Sequence, residues 1–113
     1  MEIAEQHTGE ITIVEIKGRI DSNAAKTFGE RLINLVQTGR ARLIVDLKQI
    51  IYISSAGFRA LLVAGQLAEE ANGALVLCSL SVEAQRLFDL SALADFFVIY
   101  PSREEGLTKL SSL

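Results

Sequence analysis

The period of the apolar positions changes several times along this chain, and each change marks an element. Glu10-Ile11-Thr12-Ile13-Val14-Glu15-Ile16-Lys17 alternates well, with Ile11, Ile13 and Ile16 prominent, as expected of a strand with one face in a core. Glu2 to His7 alternates more loosely and Thr8-Gly9 stands between the two segments, so a hairpin is predicted. Gly18-Arg19-Ile20-Asp21-Ser22-Asn23 is a turn-rich break in which Asp21 and Ser22 both suit a helix N-cap. Ala25, Phe28, Leu32, Leu35 and Val36 then recur at threes and fours, which places them on one helix face. Gly39 ends that helix, and Lys26, Thr27, Glu30, Arg31 and Asn34 form its solvated side.

Arg42-Leu43-Ile44-Val45-Asp46-Leu47 is a short, nearly continuous apolar run, the mark of a strand buried on both faces. Lys48-Gln49 reads as a brief connection into a second run, Ile50 to Ile53, which stops abruptly at Ser54 and Ser55. A helical period begins at once and continues to about Asn72, with Phe58, Leu61, Leu62, Gly65 and Ala68 as the expected core stripe. Ala60, Val63, Ala64 and Leu67 leave its other side apolar, so that side is either covered by neighbours or offered as a contact surface. Gly73 closes the helix. Ala74 to Leu80 reads as a further buried strand, and Ser81 as the cap of a short helix to Phe88. Asp89 to Leu93 turns into another short helical segment, and Phe96 to Tyr100 is the last strand, stopped by Pro101. Ser102-Arg103-Glu104-Glu105 is a capping box for a C-terminal helix carrying Leu107 and Leu110. After the hairpin, helix and strand alternate at the spacing of right-handed β-α-β units. The expectation is one α/β domain spanning residues 1–113, with a mixed four- to five-stranded β-sheet packed with about four α-helices.

Composition narrows the functional classes. With 113 residues the chain can bury one core, and 50% hydrophobic and 22% charged residues are an ordinary globular balance. The net charge is −3 and the Lys and Arg residues are scattered, so no direct nucleic-acid partner is expected. The single cysteine, Cys78, sits inside an apolar run, suiting a buried thiol in a reducing cytosol. Met1 to Glu5 lacks the basic and apolar regions of a signal peptide, and no apolar run approaches the ~20 residues of a membrane span. A cytoplasmic location without membrane insertion is expected. An edge strand near the N-terminus could pair two copies into a weak homodimer. His7, the only histidine, reads as a surface residue. Asp46 falls within a buried strand pattern and Asp89 in a helix-end turn, so both are expected in structural roles. The chain has no phosphate-cradling glycine loop, no metal-ligand cluster and no nucleophile–histidine pairing. No catalytic, cofactor or metal residue is therefore assigned, and no enzymatic activity is expected.

What remains is the junction itself. Ser54 and Ser55 both suit an N-cap, and Gly57 in the first turn lets another backbone or a partner approach. Their hydroxyls lie at the positive end of a helix, where an added negative charge would be stabilised. The chain resembles the STAS domain, the fold of anti-sigma factor antagonists, over nearly its whole length. Gly18-Arg19-Ile20-Asp21 resembles the family's Gly-x-(Leu/Ile)-Asp turn, and Leu43-Ile44-Val45-Asp46-Leu47 its central strand. Tyr52-Ile53-Ser54-Ser55-Ala56-Gly57 falls on the Asp-Ser-Ser-Gly signature, and Arg86 to Leu93 on the Arg-Leu-Phe-Asp-(Leu/Met)-(Ser/Thr)-Gly-Leu segment. Their common order and spacing make the resemblance specific.

That resemblance implies a bacterial partner switch acting on transcription. The unmodified antagonist binds a serine-kinase anti-sigma factor and frees the sigma factor; the kinase then uses ATP to phosphorylate a junction serine, and a serine phosphatase resets the cycle. Aligned without gaps, Ser54 takes the place of the family's Asp, Ser55 the first hydroxyl residue and Ala56 the usual phosphoserine. Ser55 is then the best remaining phosphoacceptor, with Ser54 second. The implied partner interface comprises Asp21, Ser22 and Asn23 together with Ser54, Ser55, Ala56, Gly57, Phe58 and Arg59. An alternative is a constitutive adaptor, such as the STAS-like subunit of a lipid-transport complex, which the alanine at position 56 favours somewhat.

Overall fold

A computed structural model describes residues 1–113. The hairpin forms as the alternation predicts: β1 (Glu2–Thr8) and β2 (Ile11–Ile20) pair antiparallel, with Ile3 opposite Ile16 and Thr8 opposite Ile11. The remaining elements are α1 (Ser22–Gln37), β3 (Arg42–Ile53), α2 (Ser55–Glu70), β4 (Ala74–Cys78), α3 (Val82–Ser91), β5 (Ile99–Tyr100) and α4 (Arg103–Ser111). The strands form one five-stranded sheet in the order β1-β2-β3-β4-β5, parallel from β2 onward. It is a mixed α/β sheet with four α-helices, in line with the sequence pattern.

Strand alternation divides the apolar residues between two faces. Val14, Ile16, Leu43, Val45 and Leu47 join the larger core beneath α1, α2 and α3, which contribute Phe28, Leu32, Phe58, Leu61 and Phe88. Ile11, Ile13, Ile44, Val76 and Cys78 face the other way and meet Leu110 and Leu107 of α4. The central strands are thus buried on both sides, which is why they read as unbroken apolar runs.

The sequence pattern placed several boundaries wrongly. Gly18-Arg19-Ile20 is strand rather than turn, with Gly18 at φ +97°. Lys48-Gln49 is not a connection: β3 runs through it as one strand of 12 residues. The register explains both. Glu15 pairs with Asp46 and Lys17 with Gln49, then Gly18 with Ile50 and Arg19 with Tyr52, so β3 takes up an extra residue at each step. These are bulges, and the Lys48 amide donates 2.9 Å to the Asp46 carboxylate. On α2 the buried stripe is Gly57, Phe58, Leu61, Ala64 and Ala68; Leu62 and Gly65 are half-buried. Its expected apolar second side is partly covered, since Ala60 packs close to Gly29 of α1. Ser79 leaves the strand region at φ +56° and β4 stops at Cys78. The last strand keeps only Ile99 and Tyr100, because Ala94–Phe96 forms a 3₁₀ turn and Phe96 stands 70% exposed.

Phe88 is fully buried and meets Phe58 and Phe97 edge-on, at centroid distances of 4.8 and 5.5 Å. Phe88→Ala should cost about 3–5 kcal/mol in urea-unfolding measurements, by lost transfer energy and the cavity left behind. Cys78 is buried, and desolvation pushes its thiol above the ordinary 9.0, opposed by a hydrogen bond from Ser79 and aided by the nearby Asp46 charge. The unfolded chain therefore releases this proton first. The stability this difference supplies is complete below pH 9.0 and falls as pH rises beyond it. Unfolding curves from pH 7 to 10 should show this decline in the native chain and a shallower one in Cys78→Ala.

Candidate partner-binding site at two helix N-termini

The neighbouring strands β2 and β3 run parallel and end together, Ile20 being paired with Ile53. Each turns at once into a helix. Asp21 leaves the strand in an extended conformation and its carboxylate accepts the Ala24 amide at 2.8 Å, capping α1. Ser54 does the same for α2, its hydroxyl accepting the Gly57 amide at 3.2 Å. The Ser54 amide also donates 2.8 Å to the Ile20 carbonyl, the bond that holds the two helix starts side by side. Both lie at the carboxyl ends of parallel strands, where open α/β sheets commonly place their binding sites.

The serine pair is split by this geometry. Ser54 is 7% exposed and its hydroxyl is engaged in the cap. Ser55 opens α2, is exposed, and its hydroxyl makes no hydrogen bond within the chain. Gly57 is required by packing: a Cβ there would sit 2.9 Å from the branch methyls of both Ile20 and Ile53. Among the other residues expected at the interface, Asp21, Ser22, Asn23, Ala56 and Arg59 are exposed. Ser54, Gly57 and Phe58 are buried and hold the junction in shape, Phe58 also facing the adjoining groove.

Beside Ser55 a groove of about 780 Å³ runs between α2 and α3. Phe58, Leu62 and Val63 form one wall, and Leu87, Leu90 and Leu93 the other. Leu90 stands 78% exposed on the α3 side of the groove. At the mouth Tyr52 carries the Arg19 guanidinium 4.7 Å above its ring. The groove escaped the sequence reading because its walls come from α2 and from α3 with the turn after it, where half-buried Leu62, Leu87 and Leu93 and exposed Leu90 look unremarkable in isolation. A second cluster was missed as well. Arg103 of α4 bonds Asp46 and Glu15, each at 2.8 Å, and the Asp46 hydrogen bond holds its guanidinium above the usual arginine range. This cluster ties α4 to the sheet. In the sequence Arg103 carried only the signal of a helix-capping segment.

The STAS domain family profile matches residues 2–106. This chain belongs to the STAS domain family. BtrV of Bordetella bronchiseptica, a protein assigned as an anti-sigma factor antagonist, is 33% identical over 89 residues, covering 79% of this chain and 77% of its own. The anti-sigma-B factor antagonist of Bacillus subtilis strain 168 is 33% identical over 94 residues, covering 83% and 85%. Among solved structures, unphosphorylated SpoIIAA, an anti-sigma factor antagonist, superposes with a TM-score of 0.83 at 17% identity, over 99% of this chain and 98% of its own. The phosphorylated form of the Bacillus cell fate determinant SpoIIAA gives 0.74 at 17% identity, over 96% and 98%. These structures share the STAS fold with this chain.

The two serines of this STAS domain should respond differently to truncation. Ser54→Ala is expected to lose about 0.5–2 kcal/mol of stability with the cap, and Ser55→Ala to stay within about 0.5 kcal/mol of the native chain. Gly57→Ala should cost about 1–3 kcal/mol by overpacking Ile20 and Ile53. Urea denaturation of the three variants side by side checks this ranking.

Proposed function

We propose that this STAS domain is an anti-sigma factor antagonist, a non-enzymatic regulator that binds a serine-kinase anti-sigma factor and is released when Ser55 is phosphorylated. The observation that carries this reading is the exposed, unbonded Ser55 hydroxyl at the first position of α2. A kinase can reach it without breaking any internal bond, whereas phosphorylation of Ser54 would remove the cap of α2. The names of the relatives agree with the function, and SpoIIAA exists in both phosphorylated and unphosphorylated forms.

The switch is electrostatic. Phosphorylation adds about −1.5 to −2 charges at neutral pH. At a helix N-terminus such charge is favoured by roughly 0.3–1 kcal/mol, so the domain itself remains folded. The cost falls on the complex. A partner seated over Asp21, Ser22, Asn23, Ser55, Ala56 and Arg59 would have to desolvate the phosphoryl group against an apolar groove or face it with acidic groups. Removal of the phosphate by a serine phosphatase restores the docking surface.

Incubation with ATP and a candidate anti-sigma kinase, followed by intact-mass measurement, tests the assignment. The native chain and Ser54→Ala should gain one phosphate, and Ser55→Ala none. Ser55→Glu should weaken kinase binding by about tenfold or more, equivalent to about 1.4 kcal/mol. Absence of mass gain with the cognate kinase, or transfer undiminished in Ser55→Ala, contradicts the reading. Stable co-purification with a transporter component, indifferent to ATP, would instead identify a constitutive adaptor.

A further inference from the structure

We propose that Arg59 is the residue that reads the modification: it captures the phosphoryl group of Ser55 in an ion pair within α2 and is thereby withdrawn from the docking surface. This rests on Ser55 being the acceptor. The two residues lie four apart in one helix, so they share a face one turn apart. Helical side chains lean toward the helix N-terminus, which directs the Arg59 guanidinium back toward Ser55. Both residues line the groove between α2 and α3.

Arg59 is exposed and makes neither a salt bridge nor a side-chain hydrogen bond in the unmodified chain. The other arginines are differently placed. Arg31 pairs with Glu5, Arg103 with Asp46 and Glu15, Arg40 and Arg42 bond backbone carbonyls, and Arg19 lies over the Tyr52 ring. Arg86 lines another groove. No carboxylate lines the groove beside Ser55, and Arg59 is its sole charged side chain. Nothing there competes with a phosphate for the guanidinium.

The chemistry comes from charge and shape. A guanidinium presents paired N–H donors that match phosphate oxygens, and such charge-assisted bonds are about twice as strong as neutral ones. Before modification Arg59 offers an acidic side chain of the partner a cation at the mouth of an apolar groove. Afterwards a phosphate of about −1.5 to −2 and the guanidinium leave the same spot with a net charge of about −0.5 to −1. One chemical event removes the attractive group and adds a repulsive one.

The decisive experiment separates this pairing from the identity of the native acceptor. Phosphoserine is installed at position 55 of the full chain by codon reassignment, and its second ionisation is followed by ³¹P NMR, with and without Arg59→Gln. The pairing favours the dianion, so the midpoint in the Arg59 chain should lie below that of Arg59→Gln by about 0.5 pH units. Arg59→Lys should recover part of the difference, and 1 M salt should shrink it. Equal midpoints in the two chains, or a shift produced by Arg19→Gln and not by Arg59→Gln, overturns the proposal. If the midpoint shift is found but a kinase never modifies Ser55, the pairing stands and the acceptor assignment falls. If Ser55 is modified but the midpoints coincide, the reverse holds.

Discussion

The junction depends on the parallel pairing of β2 with β3 continuing to the last residue of each strand. Ile20 and Ile53 end side by side, and the Ser54 amide closes the ladder onto the Ile20 carbonyl. Both helices start from that common edge, so their free N–H groups point the same way. The first turn of α2 can lie this close only because position 57 lacks a Cβ and seats its backbone between two isoleucine methyls. A packing constraint therefore sets the geometry of the surface around Ser55. The same seat turns one serine inward to satisfy the helix and leaves the next one facing solvent.

The division of labour between the serines fits the energetics of helix ends. An N-cap needs a hydroxyl that stays where it is, and Ser54 is held there by burial, by its amide's bond to the Ile20 carbonyl and by the Gly57 amide it accepts. A modifiable hydroxyl needs freedom and access, and Ser55 has both because the cap is already supplied. Charge added at Ser55 would meet a helix end that tolerates it, so its effect would be felt at the surface and not in the fold.

Much of this was legible in the sequence because it is written locally. The caps at Asp21, Ser54, Ser81 and Ser102 each precede an apolar helical period, and each accepts an amide in its first turn. The central strands were legible because burial on two faces leaves few polar residues. What escaped depends on partners distant in the chain. Lys48-Gln49 looks like a loop until its pairing with β2 is known, and Gly18 looks like a turn until the bulges in β3 take up the mismatch. The shortening of β5 depends on the 3₁₀ turn before it. At the site, the identity of the serines was readable, but their opposite exposures were not, since both residues suit a cap. The groove and the Arg103 cluster required side chains from α3 and α4 to be set beside residues far away in sequence.

The extra residues in β3 carry a further consequence. Side chains along a strand alternate between faces, so the count of residues after a bulge decides which of them point inward. Ile51, more than half exposed, is the residue by which β3 outruns β2 just before the junction. Deleting it would reverse the parity of the last positions of the strand, rotating Ile53 away from the core. The irregular strand thus works as a counter, and the position of the two serines is kept by arithmetic as much as by chemistry.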